Sequence, residues 1–116
     1  MKEEQANMST ATATHVGRRE HNEDAFLVDA ELGLLVVADG VGGHQAGEIA
    51  SAITCDTVAR EVVSGTSLHQ SLRSANEAVM RAVGQGQGRE GMSSTAVALL
   101  INGADYTLAW VGDSRA

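Results

Sequence analysis

The sequence predicts an α+β fold in which helices pack on one face of a mainly antiparallel sheet. Three observations lead there. Two short apolar runs, Ala25 to Val28 and Leu34 to Ala38, are separated by a turn-like segment and read as a hairpin. Two stretches with apolar residues at helical spacing follow, Ala46 to Val63 and Ser67 to Val83. A second pair of β-competent runs, Thr95 to Ile101 and Tyr106 to Val111, flanks Asn102-Gly103, a strong hairpin signal. The order is strands, two helices, strands, with no internal repeat.

Met1 to Ser9 is polar and charged and is expected to be a flexible N-terminus, so the domain is taken as 10–116. Thr10 to Val16 reads as a further strand, and Gly17 to Asp24 is a dense polar cluster. Asp29 to Gly33 is the turn of the first hairpin. The run Leu34 to Ala38 is apolar throughout, which predicts a strand buried on both faces. It ends on Asp39, and Gly40, Gly42, Gly43 and Gly47 follow closely. In an antiparallel pair the start of one strand lies beside the end of the other. Glu23 and Asp24 are therefore expected beside Asp39, with Arg19 close by.

In the first helix, Ile49, Ala50, Ile53, Val58 and Val62 form the expected apolar stripe, and Glu48 suits the first turn through the helix dipole. Ser64-Gly65 ends it. Ser67 is the expected cap of the second helix, with Gln70 three residues on. Leu68, Leu72, Ala75, Val79 and Val83 give its buried face. Gly84 to Gly91 is too rich in glycine for regular structure. Trp110 is expected in the core. Gly112-Asp113 turns the chain, and Ser114-Arg115-Ala116 follows as if a further strand were about to begin. That ending suggests the N-terminal part of a longer domain, truncated at its C-terminus.

The 116 residues suffice for one small domain with a core, and 43% apolar content argues against disorder. The net charge of −7, from fifteen acids against eight bases, argues against a nucleic-acid partner, which would normally meet a basic face. The same balance is compatible with a cation site. The single cysteine, Cys55, excludes an intrachain disulfide and is expected to pack in the core. There is no apolar signal core and no run of membrane-spanning length, so a cytoplasmic protein without a membrane partner is expected.

Three polar clusters stand at strand ends: Arg19 to Asp24, Asp39-Gly40 and Gly112-Asp113. Their acids, Glu23, Asp24, Asp39 and Asp113, are hard oxygen donors with no Cys/His cluster among them. That favours Mg2+ or Mn2+ over Zn2+. Arginine is suited to bidentate contact with phosphate, so Arg19 beside such a site suggests phosphoryl chemistry. Each residue also has a plainer reading. Asp39, Glu23 and Asp24 can cap turns, Arg19 can be a surface ion-pair residue, and His21 and His44 can be hydrogen-bonded loop residues. Spacing alone leaves both open.

In order along the chain stand Gly17-Arg18-Arg19 with Asn22-Glu23-Asp24, then Val37-Ala38-Asp39-Gly40-Val41-Gly42-Gly43-His44 with Ala46-Gly47-Glu48. Gly91-Met92-Ser93-Ser94-Thr95 and Val111-Gly112-Asp113-Ser114-Arg115 follow. This succession resembles the motifs of the metal-dependent protein phosphatases of type 2C, most of all the bacterial ones. The resemblance implies an α-β-β-α sandwich, two packed antiparallel sheets flanked by helices, of which this chain would be the N-terminal part. It implies hydrolysis of phosphoserine or phosphothreonine in proteins by a metal-bridging hydroxide, without a phosphoenzyme. The partners it implies are phosphoprotein substrates of a Ser/Thr kinase. Arg19 matches the phosphate-binding arginine, and Glu23 and Asp24 match the acid pair that holds one metal. Asp39 matches the aspartate bridging two metals, Gly40 the glycine whose carbonyl coordinates one of them, and Asp113 an acid associated with a third.

Some features depart from the family pattern. Two further metal-holding aspartates belong to the family's C-terminal half, so this chain alone is expected to be inactive. Ser93-Ser94-Thr95 stands where the family often has Gly-Thr-Thr. Val41 stands where some members carry a candidate acid histidine, and the role of His44 is open. A non-catalytic, phosphatase-like module that binds a phosphoprotein is the alternative. A nucleotide-binding loop over Gly40 to Gly47 fits poorly, because it lacks the Lys-Ser/Thr of a P-loop.

Overall fold

The computed structural model describes residues 24–43 and 45–112. Strands β1 (Asp24–Asp29) and β2 (Leu34–Val41) are followed by helices α1 (Ala46–Val63) and α2 (Leu68–Gly84), and then by β3 (Ser93–Asn102) and β4 (Asp105–Val111). The four strands form one antiparallel sheet in the order β1-β2-β3-β4. This is the α+β arrangement predicted, with both hairpins and both helices present. The expected strand over Thr10 to Val16 lies outside the described residues.

The β1–β2 turn forms because Asp29 closes it with its own side chain: Leu32 donates its backbone N–H to Asp29 Oδ1 at 3.0 Å. Helix α2 starts where Ser67 Oγ accepts from the backbone N–H of Gln70 at 3.1 Å, as its sequence predicts. Helix α1 has no such side-chain cap. Its N-cap, Gln45, adopts a left-handed conformation (φ 71°), and Ala46 N–H bonds the Gly43 carbonyl at 2.8 Å.

Both helices cover the same side of the sheet. Leu34, Val36 and Ala38 of β2 and Ala96 and Ala98 of β3 are buried there against Val58, Leu68, Leu72 and Ala75. The buried face of α1 differs from the predicted stripe. Ala50, Ser51, Thr54, Thr57 and Val58 are buried, while Ile49 and Ile53 are only half-buried beside a second, smaller cluster. Small residues let α1 lie close to β2. Two of the buried hydroxyls bond back along the helix, Thr54 Oγ1 to the Ala50 carbonyl at 2.9 Å and Ser51 Oγ to that of Glu48 at 3.2 Å, while Thr57 Oγ1 accepts from the Arg60 guanidinium at 3.4 Å.

No described element covers the other side of the sheet, called the open side below. Burial alternates strictly along β2, so the expectation of a strand covered on both faces is corrected to one covered face. Register aligns Phe26, Val37, Val97 and Trp110 in one row across the four strands of the open side, and Val28, Leu35, Leu99 and Leu108 in the next. Phe26 is 40% exposed, and Val37 and Trp110 47% each. Trp110 therefore does not belong to the core formed with the helices, contrary to expectation. It points away from them.

Candidate metal centre

Strand β2 is three residues longer than its apolar run. Asp39, Gly40 and Val41 thus belong to the strand and not to the loop after it. The residue next to Asp39 on β1 is Asp24, and its neighbour on β3 is Thr95. Residues paired across a sheet share a face, so Asp24, Asp39 and Thr95 form the row next to Phe26, Val37 and Val97 on the open side. Asp39 is exposed and Asp24 half-buried, with its Oδ1 shielded from solvent. Like charges directly opposite one another repel unless a cation or a donor offsets them.

The next residue, Gly40, faces the helices and is buried. A Cβ there would overlap the carbonyl oxygen of Gly47 and stand 2.6 Å from its carbonyl carbon. The first turn of α1 thus lies directly on the backbone of β2, one residue past Asp39. This supplies a steric reason for glycine at position 40. Any residue can offer a backbone carbonyl to a metal, but only glycine lets Gly47 come this close. Asp39 is held on a strand fixed by β1 and β3 at its sides and by α1 beneath.

Of the residues singled out in the sequence, the structure brings Asp24, Asp39 and Gly40 together. Arg19, Glu23, His44 and Asp113 lie outside the described residues. Among the described residues no group of three or more His, Cys, Asp or Glu stands close enough to hold a metal ion. The donors present, two carboxylates and a backbone carbonyl, are hard oxygens, and that chemistry fits Mn2+ or Mg2+. Two residues that frame the site were not assigned a place in it from sequence. Gly47 stands out in the sequence as the last glycine of the cluster, but nothing there places it against Gly40. Thr95 is set across from Asp39 by a register that no local turn encodes.

The thiol of Cys55 is buried on α1 within the core. Burial, with a smaller contribution from the Asp56 carboxylate, pushes its pKa from 9.0 to about 11. It is a packing residue, as predicted, and its place among the core residues keeps it apart from the carboxylate row.

Residues 12–116 match the family described as protein phosphatase 2C. The serine/threonine protein phosphatase PstP of Mycobacterium tuberculosis is 36% identical over 103 residues, covering 84% of this chain and 20% of PstP. The serine/threonine phosphatase stp of Listeria monocytogenes is 30% identical over 112 residues, covering 84% of this chain and 44% of its own length. The chain thus spans less than half the length of these relatives. Among solved structures, the catalytic domain of PstP in complex with two manganese ions superposes with a TM-score of 0.72 at 35% identity, over 84% of this chain and 44% of that one. The phosphatase MsPP of Mycobacterium smegmatis, in complex with cacodylate, gives 0.77 at 30% identity, over 92% and 47%. With the match running over nearly its whole length, and with the sheet and helix pair shared with these structures, the chain belongs to the protein phosphatase 2C family.

Proposed function

We propose that the complete protein is a Mn2+- or Mg2+-dependent phosphatase that removes phosphate from phosphoserine and phosphothreonine in proteins, and that this chain supplies part of its active site. The observation that carries the reading is the pairing of Asp24 with Asp39 on the open sheet face, with Gly40 directly after. Family membership supports it, as does the manganese-bound PstP structure.

On this reading Asp39 and Asp24 hold cations through carboxylate oxygens and Gly40 through its carbonyl. Glu23 joins the same set and Asp113 holds a third ion. When bound, such cations acidify water and neutralise charge on a transferring phosphoryl group. Arg19 grips the phosphate oxygens, the fork of its guanidinium matching two of them at once. The strand pairing of β2 and the Gly40–Gly47 contact keep Asp39 in place, so little reorganisation is needed when charge develops. Two further metal-holding aspartates belong to the family's C-terminal half, so on this reading the 116 residues can bind a cation but alone are inactive. Substrates are phosphoproteins of a Ser/Thr kinase, and the protein acts in the cytoplasm.

The test is manganese-dependent release of phosphate from a phosphothreonine peptide, by the complete protein and by residues 1–116. The complete protein should turn over and the 116 residues should not. Asp39→Asn in the complete protein should reduce turnover at least about a hundredfold, the scale for removing one charge-stabilising group from a reacting site. Survival of activity in that variant would sink the site assignment. Phosphopeptide binding without phosphate release by the complete protein would instead identify a binding module.

A further inference from the structure

We propose that Thr95 is a positioning residue for the metal centre, one side chain that ties the Asp39 peptide to the turn leading into Asp113. The proposal rests on the metal-centre reading above and adds to it a residue that does not touch the cation.

Thr95, on β3, lies directly beside Asp39 of β2 and shares the open face with Asp39 and Asp24. Its Oγ1 donates to the Asp39 backbone carbonyl over a long 3.4 Å. Its methyl group is occupied on the other side. Gly112 has φ +85°, and a Cβ added there would stand 2.5 Å from Thr95 Cγ2 and 3.0 Å from its Cβ. Gly112 immediately precedes Asp113 in sequence. The two branches of one β-branched side chain therefore meet the two backbone segments that carry Asp39 and lead to Asp113.

Each branch has a physical consequence. The Asp39 carbonyl belongs to the peptide unit shared with Gly40. A donor on that oxygen restrains the plane of the peptide up to the Gly40 N–H and Cα, and with the Gly40 dihedrals held by its pairing with Ser94 it thereby restrains the direction of the Gly40 carbonyl. The methyl group fills the space that a side chain at 112 would take, so the left-handed turn at Gly112 closes against it. A β-branched residue has few rotamers in a strand, which keeps hydroxyl and methyl on their separate partners. Serine keeps the first contact and loses the second. Valine keeps the second and loses the first.

The experiment uses the 116-residue chain as wild type, Thr95→Ser and Thr95→Val. Three quantities are measured: Mn2+ affinity from the electron paramagnetic resonance of free Mn2+, the backbone amide shifts of Gly40 and Gly112, and the thermal midpoint. Thr95→Val should move the Gly40 amide, leave that of Gly112, and weaken Mn2+ about tenfold, the lower end for groups that orient a ligand. Its thermal midpoint should stay near wild type. Thr95→Ser should move the Gly112 amide and keep the Gly40 shift. An unmoved Gly40 amide in Thr95→Val overturns the proposal. So does equal loss of midpoint and affinity in both variants, which would make Thr95 a packing residue. If wild type binds no Mn2+, the metal reading fails for this chain, and the Gly40 and Gly112 amides still decide whether Thr95 holds the two segments.

Discussion

Gly40 and Gly47 meet backbone to backbone: a methyl group at position 40 would occupy the space of the Gly47 carbonyl oxygen. Gly40→Ala must therefore push the first turn of α1 off β2. Overpacking of this kind costs about 3 kcal/mol, at the upper end for added methyl groups, because the obstacle is backbone and cannot rotate away. Gly84, the last residue of α2, is the control. Nothing lies within 4 Å of a Cβ there, and its φ is not in the left-handed region. Gly84→Ala should stabilise the chain by roughly 0.5–1 kcal/mol through the entropy of the unfolded state. Urea denaturation of both variants measures the contrast. A neutral Gly40→Ala would mean that α1 is not seated on β2.

The pairing of Asp24 with Asp39 predicts a metal-dependent stability. A cation bound only by the folded chain stabilises it by about 2.7 kcal/mol at a hundredfold excess over Kd. Addition of MnCl2 should thus raise the thermal midpoint of the 116-residue chain relative to EDTA, and Asp39→Asn should remove most of that increment. Asp105→Asn, at the hairpin end of β4, should keep it. The quantity to compare is the Mn2+-induced change within each variant, because each substitution also shifts the metal-free midpoint. An increment of wild-type size in Asp39→Asn would take the cation away from this carboxylate.

The carboxylate pairing was legible in the sequence because a short turn determines the register. Asp29 to Gly33 closes β1 on β2, and counting back along the hairpin sets Asp24 opposite Asp39. Thr95 was not legible, because β3 reaches β2 only after two helices, and packing rather than a turn decides which residue lands beside Asp39. The bounds of α1 were legible from the glycines and the Ser64-Gly65 stop. Its buried face was not, because Ser51, Thr54 and Thr57 look solvated until their hydroxyls find partners and neighbours within the fold. Trp110 and Val37 show a further limit. On strands with apolar residues on both faces, composition does not say which face the helices cover.

The open face carries its own prediction. Two rows of apolar side chains, including Phe26, Val37, Leu108 and Trp110, face solvent in the chain as described. Contiguous exposed apolar surface of this kind drives association. The resemblance to a two-sheet sandwich gives the face a natural cover, a second sheet. The 116 residues by themselves should therefore self-associate. Replacing Val37 and Trp110 together by Thr keeps β propensity and removes apolar area at the centre of the face. Sedimentation velocity should show a lower average mass for the double variant at equal concentration, with the circular dichroism spectrum unchanged. Association equal to wild type would assign it to the sheet edges at β1 and β4.

Cys55 predicts the response to alkali. Its folded pKa is raised from 9.0 to about 11 by burial, with Asp56 adding to the shift. Between these values the unfolded chain has released the thiol proton and the folded chain has kept it. The unfolded state then binds fewer protons, so stability falls as pH rises through this window, and this contribution is fully present below pH 9.0. Cys55→Ala removes the titrating group at the cost of a small cavity. The variant should be less stable than wild type at pH 8, and the gap should narrow by pH 10.5, because only wild type loses stability through the thiol. Urea midpoints at the two pH values check the sign. In parallel, the native thiol should react slowly with iodoacetamide at pH 8 and quickly once urea unfolds the chain, since reaction needs both exposure and the thiolate. A gap that widened with pH would mean that the thiol ionises more readily in the fold than out of it, and burial would then not be what governs it.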